Sequence, residues 1–202
     1  MGNPGTTRDR ILDQGLALMS QTGLEGVTLG VLADQVGMSK SGLFAHFRSK
    51  EEVQIRLLEH TAVVGAARII APSMKEPEGL PRLQALVKNW FGWAPRAGLP
   101  GGCPVAAGMF EFDDVEGPVR DKIVEMEAGW RGLLTKTIAE ASSLGHLRRD
   151  LDAAQFVWEL CGIYLSHHAA QRFLKSPDAD RRAQTAFAAL LERAAPAKPK
   201  KK

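Results

Sequence analysis

Lys40-Ser41-Gly42 places an ammonium and a hydroxyl beside a position with no side chain. On a helix this combination suits contact with base edges and phosphates, because the bare position lets the backbone approach a duplex closely. Groupings fit for catalysis are scarce. His167 and His168 are adjacent, so on a helix they point about 100° apart and cannot chelate one ion together. Cys103 and Cys161 form no CxxC pair, and no HExxH, GxSxG or phosphate-loop pattern occurs. Glu111, Asp113, Asp114 and Glu116 carry enough oxygens for a cation, yet ahead of Gly117-Pro118 they read as a solvated acidic turn. The expectation is a protein that is not an enzyme and uses no metal or cofactor.

The segment that must position Lys40 is TLGVLADQVGMSKSGLFAHF, residues 28 to 47. Thr28 opens a helix that buries Leu29, Leu32, Ala33 and Val36, and Gly37 supplies the left-handed residue that stops it. Met38 is the apolar residue of the turn. Ser39 caps a second, short helix anchored by Leu43 and Phe47. A three-residue turn between two short helices is the grammar of a helix-turn-helix, although the same grammar serves an αα-hairpin of no special purpose. Ser49 with Glu52 reads as a capping box that starts a fourth helix of about twenty residues, running toward Ile70.

The chain has 202 residues and a formal charge of +3. That charge belongs to the tail. Without Lys198, Lys200, Lys201 and Lys202 the 26 basic residues fall to 22, against 23 acidic ones. Residues 1–50 hold five basic and four acidic side chains, so local pattern and not global charge must carry any case for nucleic-acid binding. No apolar run reaches about 18 residues, and residues 1–10 lack the apolar core of a secretory signal. Two cysteines make no disulfide framework. The expected setting is cytoplasmic, without a membrane partner.

Helical periodicity runs through the remainder, and nothing sustains the alternation of a strand. Helices are expected after Thr6 or Thr7, over Leu83 to Ala94, Pro104 to Phe112, Pro118 to Ser142, Asp152 to Leu174 and Asp178 to Ala194. The fold class is all-α with about nine helices. Three N-terminal helices form a helix-turn-helix domain over residues 1–50. A larger helical ligand-binding and dimerisation bundle covers 51–194, and a basic tail over 195–202 reads as disordered.

Residues 7 to 53 resemble the DNA-binding domain of the tetracycline-repressor (TetR) family of bacterial regulators. The resemblance rests on Ile11-Leu12, Gly23, Val27-Thr28, Leu32-Ala33, Val36-Gly37-Met38-Ser39, Gly42-Leu43-Phe44, His46-Phe47 and Ser49-Lys50-Glu51-Glu52. It implies base contacts from Lys40, Ser41 and Gly42, and phosphate contacts from Thr28, Phe44, His46 and Lys50. His46 also reads as a residue that merely packs at the helix end. Two positions depart from the family pattern. Phe44 stands where a tyrosine hydroxyl commonly meets a phosphate, and Gly30 stands where a basic side chain often reaches the DNA. The expectation is lighter anchoring, with Arg8, Arg10, Lys50 and helix dipoles compensating.

Beyond residue 80, Trp90, Trp93, Cys103, Met109, Phe110, Trp130 and Trp158 are candidates for a ligand site between helices, with ordinary core packing as the alternative for each. Cys103, ahead of Pro104, reads either as a small residue at a tight turn or as a thiol sensor. The family's arrangement implies dimerisation through the last two helices. The whole implies a homodimeric repressor of double-stranded DNA, released from a palindromic operator by a small apolar or aromatic effector. The rival is a helical small-molecule-binding protein or enzyme with no DNA role.

Overall fold

Hydroxyl and carboxylate caps set five of the helix starts. In the computed structural model, which describes residues 6–197, Thr6, Thr28, Ser39, Ser49 and Asp152 each accept a backbone N–H from the first turn of the helix that follows. Each cap satisfies one of the donors that a helix N-terminus leaves without a partner. At Thr6 the box is reciprocal, because the Asp9 carboxylate accepts the Thr6 N–H at 2.8 Å. These hydrogen bonds hold the Asp9 carboxyl below its ordinary range, the Thr6 hydroxyl being the largest cause. The expected box at Ser49 closes differently. Glu52 donates its N–H to Ser49 Oγ, but its carboxylate reaches one residue further back, to the Arg48 N–H at 2.8 Å.

All regular structure among the described residues is helical. The elements are α1 (Thr7–Thr22), α2 (Leu29–Val36), α3 (Lys40–Phe44), α4 (Lys50–Gly65), a π-helical turn (Ala66–Ile70), α5 (Ala71–Ser73), α6 (Leu80–Trp90), α7 (Trp93–Arg96), α8 (Pro104–Glu111), α9 (Pro118–Ser143), α10 (Ala153–Arg172) and α11 (Ala179–Ala194). The two beyond the nine expected are the very short α5 and α7. The helix expected over Leu83 to Ala94 starts three residues early, with Pro81 in its first turn, and breaks at Phe91 and Gly92. Phe91 is extended, and Gly92 takes φ 67°, a left-handed conformation that ends a helix at little cost only for glycine. Of the tail expected to be disordered, residues 198–202 lie outside the described residues.

The chain divides into two compact units. The first comprises the chain up to Ala66 with Trp93–Glu127. Its core gathers Ile11, Leu16, Met19, Leu24, Val27, Leu32, Leu43, Phe47, Val53, Leu57 and Leu58, all essentially without solvent contact. Helix α1 packs on α2 and α4, and α8 packs on both α1 and α4. Polar bonds fasten α8 and the loop before it to the end of α1. Gly101 N–H donates to Ser20 Oγ at 3.0 Å, Gly102 N–H to the Ser20 carbonyl at 2.8 Å, and the Glu111 carboxylate accepts the Glu25 N–H at 2.9 Å. Glu111 thus leaves the acidic turn to serve as a tether, while Asp113, Asp114 and Glu116 stay exposed.

The second unit comprises Ala67–Gly92 with the chain from Ala128 onward. Helices α10 and α11 pack along their lengths. Trp90 stacks on Tyr164 with ring centres 4.0 Å apart and meets Trp130 edge-on at 4.9 Å. Phe91 stacks on His167, whose buried imidazole meets Asp180 at 2.6 Å and so ties α10 to α11.

Two outcomes follow for stability. A methyl carbon at Gly101 would stand 1.7 Å from the Ser20 carbonyl oxygen, backbone against backbone. Gly101→Ala should therefore cost at least about 1–3 kcal/mol in denaturant unfolding. At His168, burial first, then the nearby Arg172 and His167 charges, push the imidazole below its ordinary 6.5. As pH falls through that value the unfolded chain takes up this proton before the folded one, so stability declines toward acid. Measured as melting temperature between pH 7.5 and 5.5, His168→Gln should show a shallower decline.

Candidate nucleic-acid interface

A left-handed glycine and two local bonds fix the α2–turn–α3 segment. Gly37 is left-handed at φ 68° and ψ 35°. Beyond it the Met38 N–H returns to the Ala33 carbonyl at 2.9 Å, so the last carbonyls of α2 are satisfied without continuing the helix. Ser39 Oγ then accepts the Gly42 N–H at 3.1 Å and starts α3 two residues after the stop. Fully buried Leu43 and Phe47 hold α3 from beneath. A methyl carbon at Gly42 would stand 3.2 Å from Ser39 Oγ, so the missing side chain also protects the cap.

On this frame Thr28, Lys40, Ser41 and Phe44 are exposed, while Gly42, His46 and Lys50 are partly covered. Thr28 Oγ1 accepts the Val31 N–H at 3.2 Å. Ser41 Oγ lies 3.1 Å from Ser39 Oγ. Phe44 is 50% exposed, which leaves an apolar face open to solvent. His46 lies 6.4 Å from the Phe47 ring, tilted against it. From α1, the Arg8 guanidinium stands over that ring at 5.6 Å. Lys40 bends back over α2. The point where a Gly30 methyl carbon would sit is 3.3 Å from Lys40 Cε and 3.6 Å from its Nζ. The position expected to lack a cation therefore has one beside it, delivered from α3.

Lys50 is engaged elsewhere than the phosphate role implies. Its ammonium bonds the Glu25 carboxylate at 3.0 Å. The Gln54 amide, donating to the Leu24 carbonyl at 2.8 Å, steadies the same turn. The hydrogen bond from Lys50 is the main reason the Glu25 carboxyl titrates below its usual range, so the pair is intact at neutral pH and is lost as pH falls through that lowered value. No local sequence signal links residues 25 and 50. Only the packing of α4 against the α1–α2 loop brings them together.

The seven ligand-site candidates fall in both units. Trp90 and Trp130 meet in the second unit, where Trp130 Nε1 is buried with no hydrogen-bond partner among the described residues. Trp93, Cys103, Met109 and Phe110 belong to the first unit. Trp93 and Cys103 are buried there, Cys103 at the start of α8, whereas Phe110 is 65% exposed. Trp158, 68% exposed, borders a groove of about 520 Å³ along α10 and α11, with Gly162, Ser166, Ala170 and Ala186. Among the described residues no group of three or more His, Cys, Asp or Glu side chains is placed to hold a metal, and no helix is long and apolar enough to cross a membrane.

Two family profiles match this chain. The profile described as bacterial regulatory proteins, tetR family, matches residues 11–57, and that for the tetracyclin repressor-like C-terminal domain matches residues 79–187. The nucleoid occlusion factor SlmA of Cronobacter sakazakii is 31% identical over 179 residues, covering 86% of this chain and 88% of that protein. A TetR transcriptional regulator from Chloroflexus aurantiacus superposes with a TM-score of 0.81 at 22% identity, covering 92% of each chain. The regulator FadR from Bacillus subtilis, in complex with stearoyl-CoA, superposes with a TM-score of 0.74 at 15% identity, covering 92% of this chain and 98% of that one.

The Glu25–Lys50 pair yields a test. A surface ion pair is worth about 0.2–1 kcal/mol, so releasing Lys50 should tighten DNA binding by up to roughly fivefold per protomer. Titration of labelled duplex with Glu25→Gln should show that gain. Unchanged affinity would mean that Lys50 makes no phosphate contact.

Proposed function

Since the chain belongs to the tetR family of bacterial regulatory proteins, we propose that it acts as a homodimeric repressor, released from a palindromic operator by a small apolar or aromatic effector. The chain is a helix-turn-helix transcription regulator of a family of DNA-binding factors that are not enzymes. The observation that carries the finer reading is the pinned α2–turn–α3 segment, which leaves Thr28, Lys40 and Ser41 open to solvent while Leu43 and Phe47 are wholly buried. Within it Lys40, Ser41 and Gly42 face the duplex, and Thr28, Phe44, His46 and Lys50 contribute at its edges. Phe44, lacking a hydroxyl, offers apolar contact to a sugar or a thymine methyl.

One such domain binds weakly. Two recognition helices about 34–36 Å apart read successive major grooves, which is why an inverted repeat matches a twofold dimer. The α10–α11 groove supports dimerisation. Its small residues allow close approach of a second helix pair, and the exposed Trp158 is apolar surface that a lone protomer would leave wet. The functional division at residue 50, with residues 51–194 as ligand-binding and dimerisation body, belongs to the same proposal. For the effector, the Trp90, Trp130 and Tyr164 rings and the unpartnered Trp130 N–H suit an apolar molecule with one hydrogen-bond acceptor. The stearoyl-CoA held by the Bacillus regulator is compatible with an apolar effector. Coupling of about 1–3 kcal/mol would weaken operator binding roughly 5- to 150-fold.

Selection from a random-sequence duplex library tests the reading. An inverted repeat with half-sites about 10 base pairs apart is expected. Enrichment of no palindrome, with only salt-sensitive background binding, would sink it. Ala186 is exposed, so Ala186→Glu should fold normally, sediment as a monomer and lose operator binding. A variant that remained dimeric would move the interface off this groove.

A further inference from the structure

We propose that Gly30 and Lys40 form one phosphate-holding unit, in which Lys40 grips the backbone of the duplex and does not read a base. The inference rests on the DNA-binding function proposed above and assigns the division of labour within it. Its basis is the space over the first turn of α2. Gly30 puts no side chain there, and the methyl carbon it lacks would stand 3.3 Å from Lys40 Cε, 3.6 Å from Lys40 Nζ and 3.9 Å from Thr28 Oγ1. An ammonium and a hydroxyl therefore border the same small opening. Thr28 Oγ1 already accepts the Val31 N–H, which leaves its own O–H free to donate. Leu29 and Gly30 are the first two residues of α2, where a backbone N–H has no acceptor within its helix.

A cation, a hydroxyl donor and the amide end of a helix around one opening suit an anionic oxygen, and on a duplex that oxygen is a phosphate. The charge is also available. Lys50 spends its ammonium on Glu25, whereas among the described residues Lys40 has no acidic partner within ion-pair distance. With its Cε held against α2, Lys40 is drawn away from Ser41 and Gly42, and base contact falls to those two and to Phe44. Gly30 becomes a positioning residue. Any side chain there meets the end of the lysine stem, and β-branched side chains occupy the place of the ammonium.

The test measures operator affinity against salt for the wild type and four variants, on the duplex that the wild type enriches and on a random-sequence duplex. Lys40→Ala should weaken both duplexes by a similar factor, lower the slope of log K against log salt by about one per protomer, and leave the preference at every base pair unchanged. Gly30→Val keeps the lysine but fills its space, and should reproduce that loss with an unaltered melting temperature. Gly30→Ala, which asks the lysine to move only a few tenths of an ångström, should lie between the two. The double variant Gly30→Lys with Lys40→Ala returns one cation to the opening from α2 and should restore the slope. Relaxed discrimination at one or two base pairs with an unchanged slope would make Lys40 a base reader and overturn the proposal. Wild-type affinity and slope in Gly30→Val would overturn it equally. A wild type that enriches no site defeats the DNA-binding reading and this one with it, whereas wild-type enrichment with unmoved variant slopes defeats this one alone.

Discussion

A recognition helix of five residues closes too few intrahelical hydrogen bonds to hold its own shape, so what Lys40–Phe44 presents depends on how its first turn is pinned. The constraint is the pair Gly37 and Ser39. Gly37 turns the chain left-handed and lets Met38 N–H close onto Ala33, and Ser39 Oγ accepts from Gly42. Between them the chain has one residue in which to change direction. That leaves α3 little freedom relative to α2, and it explains why the side chains of α3 interlock with α2: Lys40 lies over Gly30, and Gly42 leaves room for the Ser39 hydroxyl.

The electrostatics follow from this placement and not from abundance. With the tail lysines set aside the chain is about neutral, so each cation of the first unit matters by where its partner is. Arg8 rests over the Phe47 ring, a site that keeps the charge but fixes its position. Lys50 is tied to Glu25. Of Arg8, Lys40 and Lys50, Lys40 is the one with neither an aromatic ring nor a carboxylate against it among the described residues.

What could be read in the sequence divides along contact range. The caps at Thr28, Ser39 and Ser49, the stop at Gly37 and the buried faces of α2 and α3 are settled within four or five residues, and sequence pattern recovers them except at Leu29, expected to be buried and only half-buried at the first position of α2. The contacts that the sequence did not reveal share one cause. The pairing of Lys50 with Glu25, the tether from Glu111 to Glu25 N–H and the bonds from Gly101 and Gly102 to Ser20 span 25 to 86 positions, and no local periodicity carries them. The break at Gly92 was hidden because Trp90, Phe91 and Trp93 continue an apolar stripe through a residue whose conformation ends the helix. Aromatic residues in the second half of the chain were legible as a group but not as a site. Type alone does not separate buried Trp90 from outward Trp158.

The long-range bonds of the first unit also concentrate on one short stretch. Ser20 takes two backbone donors from the loop before α8, and Glu25 takes the Glu111 carboxylate at the end of α8. Gly23 lies between them at φ 75°, a conformation that strains any other residue, and a methyl carbon there would also displace that same carboxylate. From this stretch the path onward is brief. Glu25 holds Lys50 at the start of α4, and Thr28, three residues later, caps α2. A displacement of α8 must either break these bonds or carry Ser20–Glu25 with it, and carrying it moves both the α2 cap and the partner of Lys50. Hydrogen bonds that fix the starts of α2 and α4 are thus continuous with those that fix α8, so the three elements share one bonded stretch of chain.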